Sequence, residues 1–351
     1  MPEDLHPSGS LAQPRVARRI QARRGHGSPV ESTSTAVARQ TYLETALRGR
    51  AARLVRTTLR RMEPVFVVTP RWSRPQGFLE EVALDLAVGE PSVGCRTIGF
   101  RPLRSRGPAA AWPFLLQVLG QLGRGGNGGE IVATAVDRQA FKAGVGEALR
   151  AAHRSSRHRL AVLMHGIENI PVEVLADLVE EWSRYRLDHP EGTRVTLLLA
   201  GAERPAWLDL PDLHIVELED YSEAEAIAAI VARCGPLPPR RLLTLARFTG
   251  GVPAVLDAVS GMIAERGSRL DVDVILHGMG AVADEMRGAL DIVAARGELA
   301  DRLGLLCKEP SLPEAIDVDS PLLAAGLLRR RRSGGQDQVT LRSPALAALL
   351  G

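Results

Sequence analysis

The pattern of apolar and polar positions changes character along the chain. Between residues 65 and 218, short apolar runs alternate with segments whose apolar residues recur at helical spacing. The runs predict five strands, at Val65–Val68, Ser92–Phe100, Arg159–Met164, Arg194–Ala200 and His214–Leu218. The intervening segments predict helices, around Phe78–Leu86, Trp112–Leu122, Ala140–Ala152 and Val172–Tyr185. Buried strands that alternate with helices predict an α/β fold, a parallel sheet with helices on both faces.

After residue 218 the pattern becomes helical. Ser222 and Glu225 have the spacing of a capping box, so they predict the start of a helix. A second helix is predicted at Arg240–Phe248, and a third after Pro253. These helices form a predicted helical segment, residues 219–267.

The last part of the chain, residues 268–351, predicts helices near Val282–Ala294 and Leu322–Leu328. Two strand-like runs then flank Gly334-Gly335, which is the pattern of a β-hairpin. Helices followed by such a hairpin are typical of a winged helix.

Charge concentrates before the first strand. Residues 1–61 contain 12 arginines and 4 acidic residues, although the whole chain carries only +3. Residues 1–37 are rich in Pro, Gly, Ser and Arg without apolar periodicity, so we interpret them as a disordered basic arm. The α/β domain then occupies 38–218. Such an arm suits a phosphate backbone or an acidic partner, and it equally suits a solvated tail.

The stretch Val65–Leu84 reads as strand, turn and helix, which is the setting of a phosphate-binding P-loop. The signature G-x-x-x-x-G-K-[ST] falls on residues 69–76, and every signature residue is replaced: Thr69 and Arg74 stand for the glycines, Pro75 for the lysine and Gln76 for the Ser/Thr. Pro75 supplies neither a charge nor a backbone N–H, and Gln76 has no hydroxyl for Mg²⁺.

In the order of its segments, the chain over residues 40–351 resembles the AAA+ and STAND classes of P-loop NTPases. The matching segments are Val65–Leu84 (phosphate loop), Leu160–Asn169 (second nucleotide motif), Val195–Gly201 (first sensor strand), Tyr221–Ala226 with Thr249–Ala258 (lid, including Gly251-Val252-Pro253), and the hairpin. The resemblance implies a P-loop NTPase-like sheet, a helical lid and a C-terminal winged helix.

The second nucleotide motif also departs from the family. His165 and Gly166 stand where the family has Asp-Glu, and Glu168 lies two residues beyond the usual base. The degenerate nucleotide site therefore comprises seven residues, Thr69, Arg71, Arg74, Pro75, Gln76, His165 and Glu168, and no catalytic or metal-ligating residue is predicted. Arg71 and Arg74 flank a helix N-terminus, so residual phosphate binding stays open. Trp72 either fills the pocket or contacts a partner.

Five arginines near the hairpin are candidates for contact with nucleic acid or a partner protein: Arg329, Arg330, Arg331, Arg332 and Arg342. Alternation along a strand sends half of the run 329–332 to each face, so at least two of these side chains should project outward. The preceding segment, 321–327, is nearly all apolar, which disfavours base reading.

The sequence thus predicts a cytoplasmic, catalytically inactive scaffold or regulatory adaptor that docks on an active NTPase or another effector. The alternatives are a DNA-binding regulator, and an atypical ATPase completed by a partner subunit. No cofactor is expected, and ATP with Mg²⁺ enters only if the degenerate site still binds. No membrane contact is predicted, and Cys95, Cys234 and Cys307 form neither a metal spacing nor a disulfide framework.

Overall fold

The structure is a computed structural model, and it describes residues 49–90, 92–100, 107–120, 137–155, 159–189, 193–210, 212–267, 272–333 and 335–350. The predicted basic arm and the Gly-rich stretch 123–129 lie outside these residues. The described residues belong to one compact unit. No helix in the described ranges is long and apolar enough to cross a bilayer.

The first part of this unit is built on five parallel strands in the order β2-β3-β4-β1-β5. The strands are β1 (Val65–Val68), β2 (Val93–Gly99), β3 (Arg159–His165), β4 (Val195–Gly201) and β5 (His214–Glu217). The flanking helices are α1 (Gly49–Arg60), α2 (Pro75–Gly89), α3 (Pro108–Gly120), α4 (Arg138–Ser155) and α5 (Val172–Asp188). The predicted α/β fold class is confirmed.

Alternation along the strands gives each face of the sheet its own core. Phe66 and Val162 point into one core, under α3, α4 and α5. Val67 and Leu163 point into the other, under α1 and α2. All seven residues of β4 are buried, because helices cover both of its faces.

Two further segments follow the sheet. The three-helix segment comprises α6 (Glu223–Cys234), α7 (Pro239–Thr249) and α8 (Pro253–Arg266). The C-terminal segment comprises α9 (Val272–Gly278), α10 (Ala281–Ala294), α11 (Gly297–Lys308), β6 (Leu312–Pro313), α12 (Ile316–Ala324), β7 (Leu328–Ser333), β8 (Gln336–Leu341) and α13 (Pro344–Leu350). β6, β8 and β7 form an antiparallel sheet in that order.

Local signals in these segments act as predicted, with one exception. Ser222 caps α6, and its capping box with Glu225 is present on both sides. The predicted hairpin is β7–β8. The helix predicted at Leu322–Leu328 was placed wrongly: α12 ends at Ala324, because Gly326 takes a left-handed φ of 75° and turns the chain into β7.

Candidate functional site

The loop from β1 to α2, residues 69–74, forms a tight turn at the carboxyl edge of the sheet. The amide of Thr69 donates to the carbonyl of Gly201 at the end of β4, at 2.8 Å. The amide of Ser73 donates to the carbonyl of Pro70 at 3.0 Å. Trp72 and Arg74 have positive φ angles, 64° and 53°, which are costly for residues with a side chain. Backbone hydrogen bonds thus fold the loop into a turn and tie its start to the end of β4.

The two positions that would hold phosphate and Mg²⁺ are used otherwise. Pro75 opens α2 as its first helical residue, a place that its fixed φ suits. The side-chain amide of Gln76 donates to Glu80 one turn later, at 2.8 Å. Neither residue brings a positive charge or a hydroxyl to the helix N-terminus.

Trp72 connects the loop to the rest of the molecule. Its side chain is buried, and its ring lies 5.4 Å from the guanidinium carbon of Arg71 and 6.0 Å from that of Arg342. Its carbonyl accepts a hydrogen bond of 3.1 Å from the amide of Ala254 in α8. A Cβ added to Gly326 would lie 3.7 Å from the indole. Trp72 therefore lies where the loop, the three-helix segment and the C-terminal segment meet.

Arg342 lies at the end of β8 and is enclosed, with 3% of its side chain exposed. Its guanidinium donates to both carboxylate oxygens of Asp220, at 2.6 and 2.8 Å, and also to the carbonyl of Arg71. Charge-assisted, bidentate bonds of this kind are the strong ones. This predicted contact residue is thus engaged inside the molecule.

The arginines of β7 divide between inside and outside. Arg329 donates to the carbonyl of Gly250 at 3.1 Å, and burial lowers the pKa of its guanidinium. Arg330 is exposed and pairs with Glu314 at 2.8 Å, and Arg331 is exposed. Arg332 lies opposite Asp337 in the β7–β8 ladder.

The second sequence motif ends β3 at the same edge of the sheet. The ring of His165 lies against Gly99 of β2, where an added Cβ would come within 2.6 Å of it. Burial lowers the pKa of His165, and the charge of Glu80 acts in the opposite direction. The lowered pKa favours the neutral imidazole, which lacks the negative charge that a carboxylate would offer to Mg²⁺.

Glu168 follows on a single turn of 3₁₀ helix, Ile167–Asn169, and is exposed. Its Oε2 lies 3.3 Å from the position of a Cβ on Gly201. Because Thr69 also bonds to Gly201, the structure brings Thr69 and Glu168 to the same strand end. Arg74 turns away toward α8, where its Nε lies 3.8 Å from Asp257. Within the described ranges, no cluster of three or more His, Cys, Asp or Glu could hold a metal ion.

Sequence reasoning missed the acidic partners of this region, Asp220 and Asp257. Asp220 stands 122 positions before Arg342, and no local pattern links the two. The sequence signal for this region lay in two glycines, Gly250 and Gly251. An added Cβ on Gly251 would lie 1.9 Å from the carbonyl of Tyr221, and one on Gly250 would lie 2.5 Å from the carbonyl of Arg342. The Gly-Gly pair before Pro253 therefore marks a close approach of backbones.

Among solved structures, the chain is similar to the Walker-type ATPase of Pyrococcus abyssi, with a TM-score of 0.55 and 11% identity over 86% of this chain and 95% of that one. It is also similar to RuvB of Thermotoga maritima (TM-score 0.43, 15% identity, 86% and 92% covered). A STAND ATPase with a tetratricopeptide repeat sensor from Pyrococcus horikoshii has a TM-score of 0.36, 14% identity, and 85% and 41% covered. No family model and no curated protein matches the chain. The first likeness shows the fold of a Walker-type ATPase.

Proposed function

We propose that this chain is a non-hydrolysing scaffold or regulatory adaptor, which uses an ATPase fold to present surfaces to a partner protein. The observation that carries the proposal is that protein side chains already fill the space at the 69–74 loop. Its buried Trp72 and the enclosed guanidinium of Arg342 meet at the loop, which a nucleotide phosphate would have to approach.

The chemistry of the surrounding residues supports the same proposal. Phosphoryl transfer by this fold needs a cation on the phosphates, a hydroxyl and a carboxylate on Mg²⁺, and an oriented water. Pro75, Gln76 and His165 occupy the corresponding positions, and none of them supplies these groups. Glu168 is the one carboxylate of the predicted site, and it lies beside Gly201. Nucleotide binding and hydrolysis are both expected to be lost.

Calorimetric titration of the full chain with Mg-ATP and with Mg-ADP tests the proposal, together with an assay of phosphate release. We expect no binding heat and no release above background. A rate that Glu168→Ala abolishes and Glu285→Ala retains would overturn the proposal. Glu285 is an exposed acid on α10, so its variant controls for the loss of one charge and for contaminating enzymes.

A partner can be identified by mixing the chain with candidate active NTPases and measuring the mass of the complex. Contact with nucleic acid is the alternative, and Arg330 and Arg331 are its exposed candidates on β7. A salt-dependent mobility shift that Arg330→Ala/Arg331→Ala removes would favour that alternative. Arg329 is left unchanged in this variant because it is less exposed and its guanidinium donates to the carbonyl of Gly250.

A further inference from the structure

We propose that Asp220, Arg342 and the carbonyl of Arg71 form an arginine clasp, which keeps the C-terminal segment closed on the 69–74 loop without any nucleotide. A partner would then act on this protein by opening the clasp. The inference deepens the proposed function, because it assigns to the degenerate loop a mechanical role in place of phosphate binding.

The clasp joins three parts of the chain at one guanidinium. Asp220 lies between β5 and α6, Arg342 directly follows β8, and Arg71 belongs to the loop after β1. The exposed fraction of the side chain is 3% for Arg342 and 10% for Asp220. Since water is largely excluded, the pair is screened little and its hydrogen bonds are strong.

Two glycines that allow close backbone approach also support the closed clasp. A Cβ on Gly326 would lie 2.9 Å from the Cβ of Arg71 and 3.4 Å from Nη1 of Arg342. Gly326 therefore lets the turn before β7 approach the loop. Gly250 likewise lets the end of α7 approach the end of β8. Both glycines have left-handed φ angles, 75° and 60°, so the backbone there already disfavours a larger residue.

A second tie holds the loop to the three-helix segment. The carboxylate of Asp257 accepts from Arg233 and lies 3.8 Å from Nε of Arg74. The amide of Ala254 donates to the carbonyl of Trp72 at 3.1 Å. The hydrogen bond of Ala254 therefore reports whether the loop is docked.

The physics of a buried ion pair makes the clasp reversible yet sensitive to substitution. When the clasp opens, both charges return to water, so the desolvation cost of the closed state is recovered. When only the carboxylate is removed, Arg342 stays enclosed with no anion, and the closed state is strongly destabilised. Opening would expose the indole of Trp72 and the guanidinium of Arg342 to a partner.

Amide hydrogen exchange on the full chain, without nucleotide, tests the clasp. In Asp220→Asn we expect the Ala254 amide and the 69–74 loop to exchange at least about tenfold faster than in the wild type. Glu223→Gln is the matched control, because it breaks an Arg247–Glu223 pair whose side chains are 66% and 50% exposed. That control should leave exchange unchanged.

Gly326→Ala provides a second variant in which every charge is kept. Its Cβ presses on Arg71, so the same amides should exchange faster while those of β3 and β4 stay protected. The clasp would be overturned if the Ala254 and 69–74 amides of Asp220→Asn exchanged at the wild-type rate. It would also be overturned if the amides of β3 and β4 accelerated equally. Detection of ATP hydrolysis would overturn the proposed function alone, because the exchange is measured without nucleotide.

Discussion

Replacing Asp319 by alanine should destabilise the C-terminal segment strongly. Asp319 lies in α12 and has no exposed surface. Its carboxylate receives two hydrogen bonds from Arg302 of α11, at 2.9 and 2.8 Å, and a third from the amide of Ala315, at 2.7 Å. Arg302 also donates to the carbonyl of Pro313 in β6. One carboxylate thus fixes α11, the start of α12 and β6 together.

The expected cost follows from what the substitution leaves behind. Removing one partner of a buried ion pair costs about 3–5 kcal/mol, since the other charge stays enclosed without compensation. The side chain of Arg302 is only 16% exposed, so it meets this condition. The amide of Ala315 loses its acceptor as well, which places the expected loss in the upper half of that range. Asp319→Asn keeps the shape and one acceptor, so it should cost less.

Urea unfolding followed by far-UV circular dichroism measures the effect. The matched control is Asp284→Ala, which breaks the Arg287–Asp284 pair of α10, whose side chains are 48% and 75% exposed. An exposed pair contributes about 0–1 kcal/mol, so the control should unfold nearly as the wild type does. A loss of less than about 1 kcal/mol in Asp319→Ala would refute the assigned role of this pair.

Two further predictions concern backbone approach and pH. Gly251→Ala should lower the melting temperature more than Gly267→Ala. Both glycines have left-handed φ, but only at Gly251 would a Cβ meet the carbonyl of Tyr221. Equal shifts in melting temperature would contradict the close approach. Burial lowers the pKa of His153, and the charges of His189 and two nearby arginines act in the same direction. The unfolded chain therefore takes up the proton first, and the stability of the folded state should fall as pH drops below about 6.5. In His153→Gln, the free energy of unfolding should fall less steeply as the pH drops below about 6.5. An unchanged slope would exclude His153 as the cause.

Much of the sheet could be predicted from the sequence, because its signals are local. The runs Val65–Val68 and Arg159–Met164 are apolar on both sides of the strand, which occurs when a parallel strand is covered on both faces. The capping box of Ser222 is likewise a three-residue signal. Three helices were missed. α11 contains Gly297 and Gly304, which weaken helical propensity, and α9 and α13 have only seven residues each.

The contacts around the 69–74 loop could not be predicted, because they join distant parts of the chain. Arg342 follows a strand and looks from the sequence like an outward-facing cation. Only the fold places it beside Asp220 and Trp72. The run Arg329–Arg332 shows the same limit, since alternation indicates two faces but not that one of them meets Gly250.

The strand order has a consequence for the newly made chain. β1 lies between β4 and β5, and Val65 pairs with Leu198, 133 positions later. At a synthesis rate of about 5–20 residues per second, β1 waits roughly 7–27 s before its neighbour is made. Until then the run Val65–Val68 lacks its native partner strands, and unpaired strand edges are prone to aggregate. Each new molecule therefore passes through a vulnerable period whose length is set by the position of β1 in the sheet.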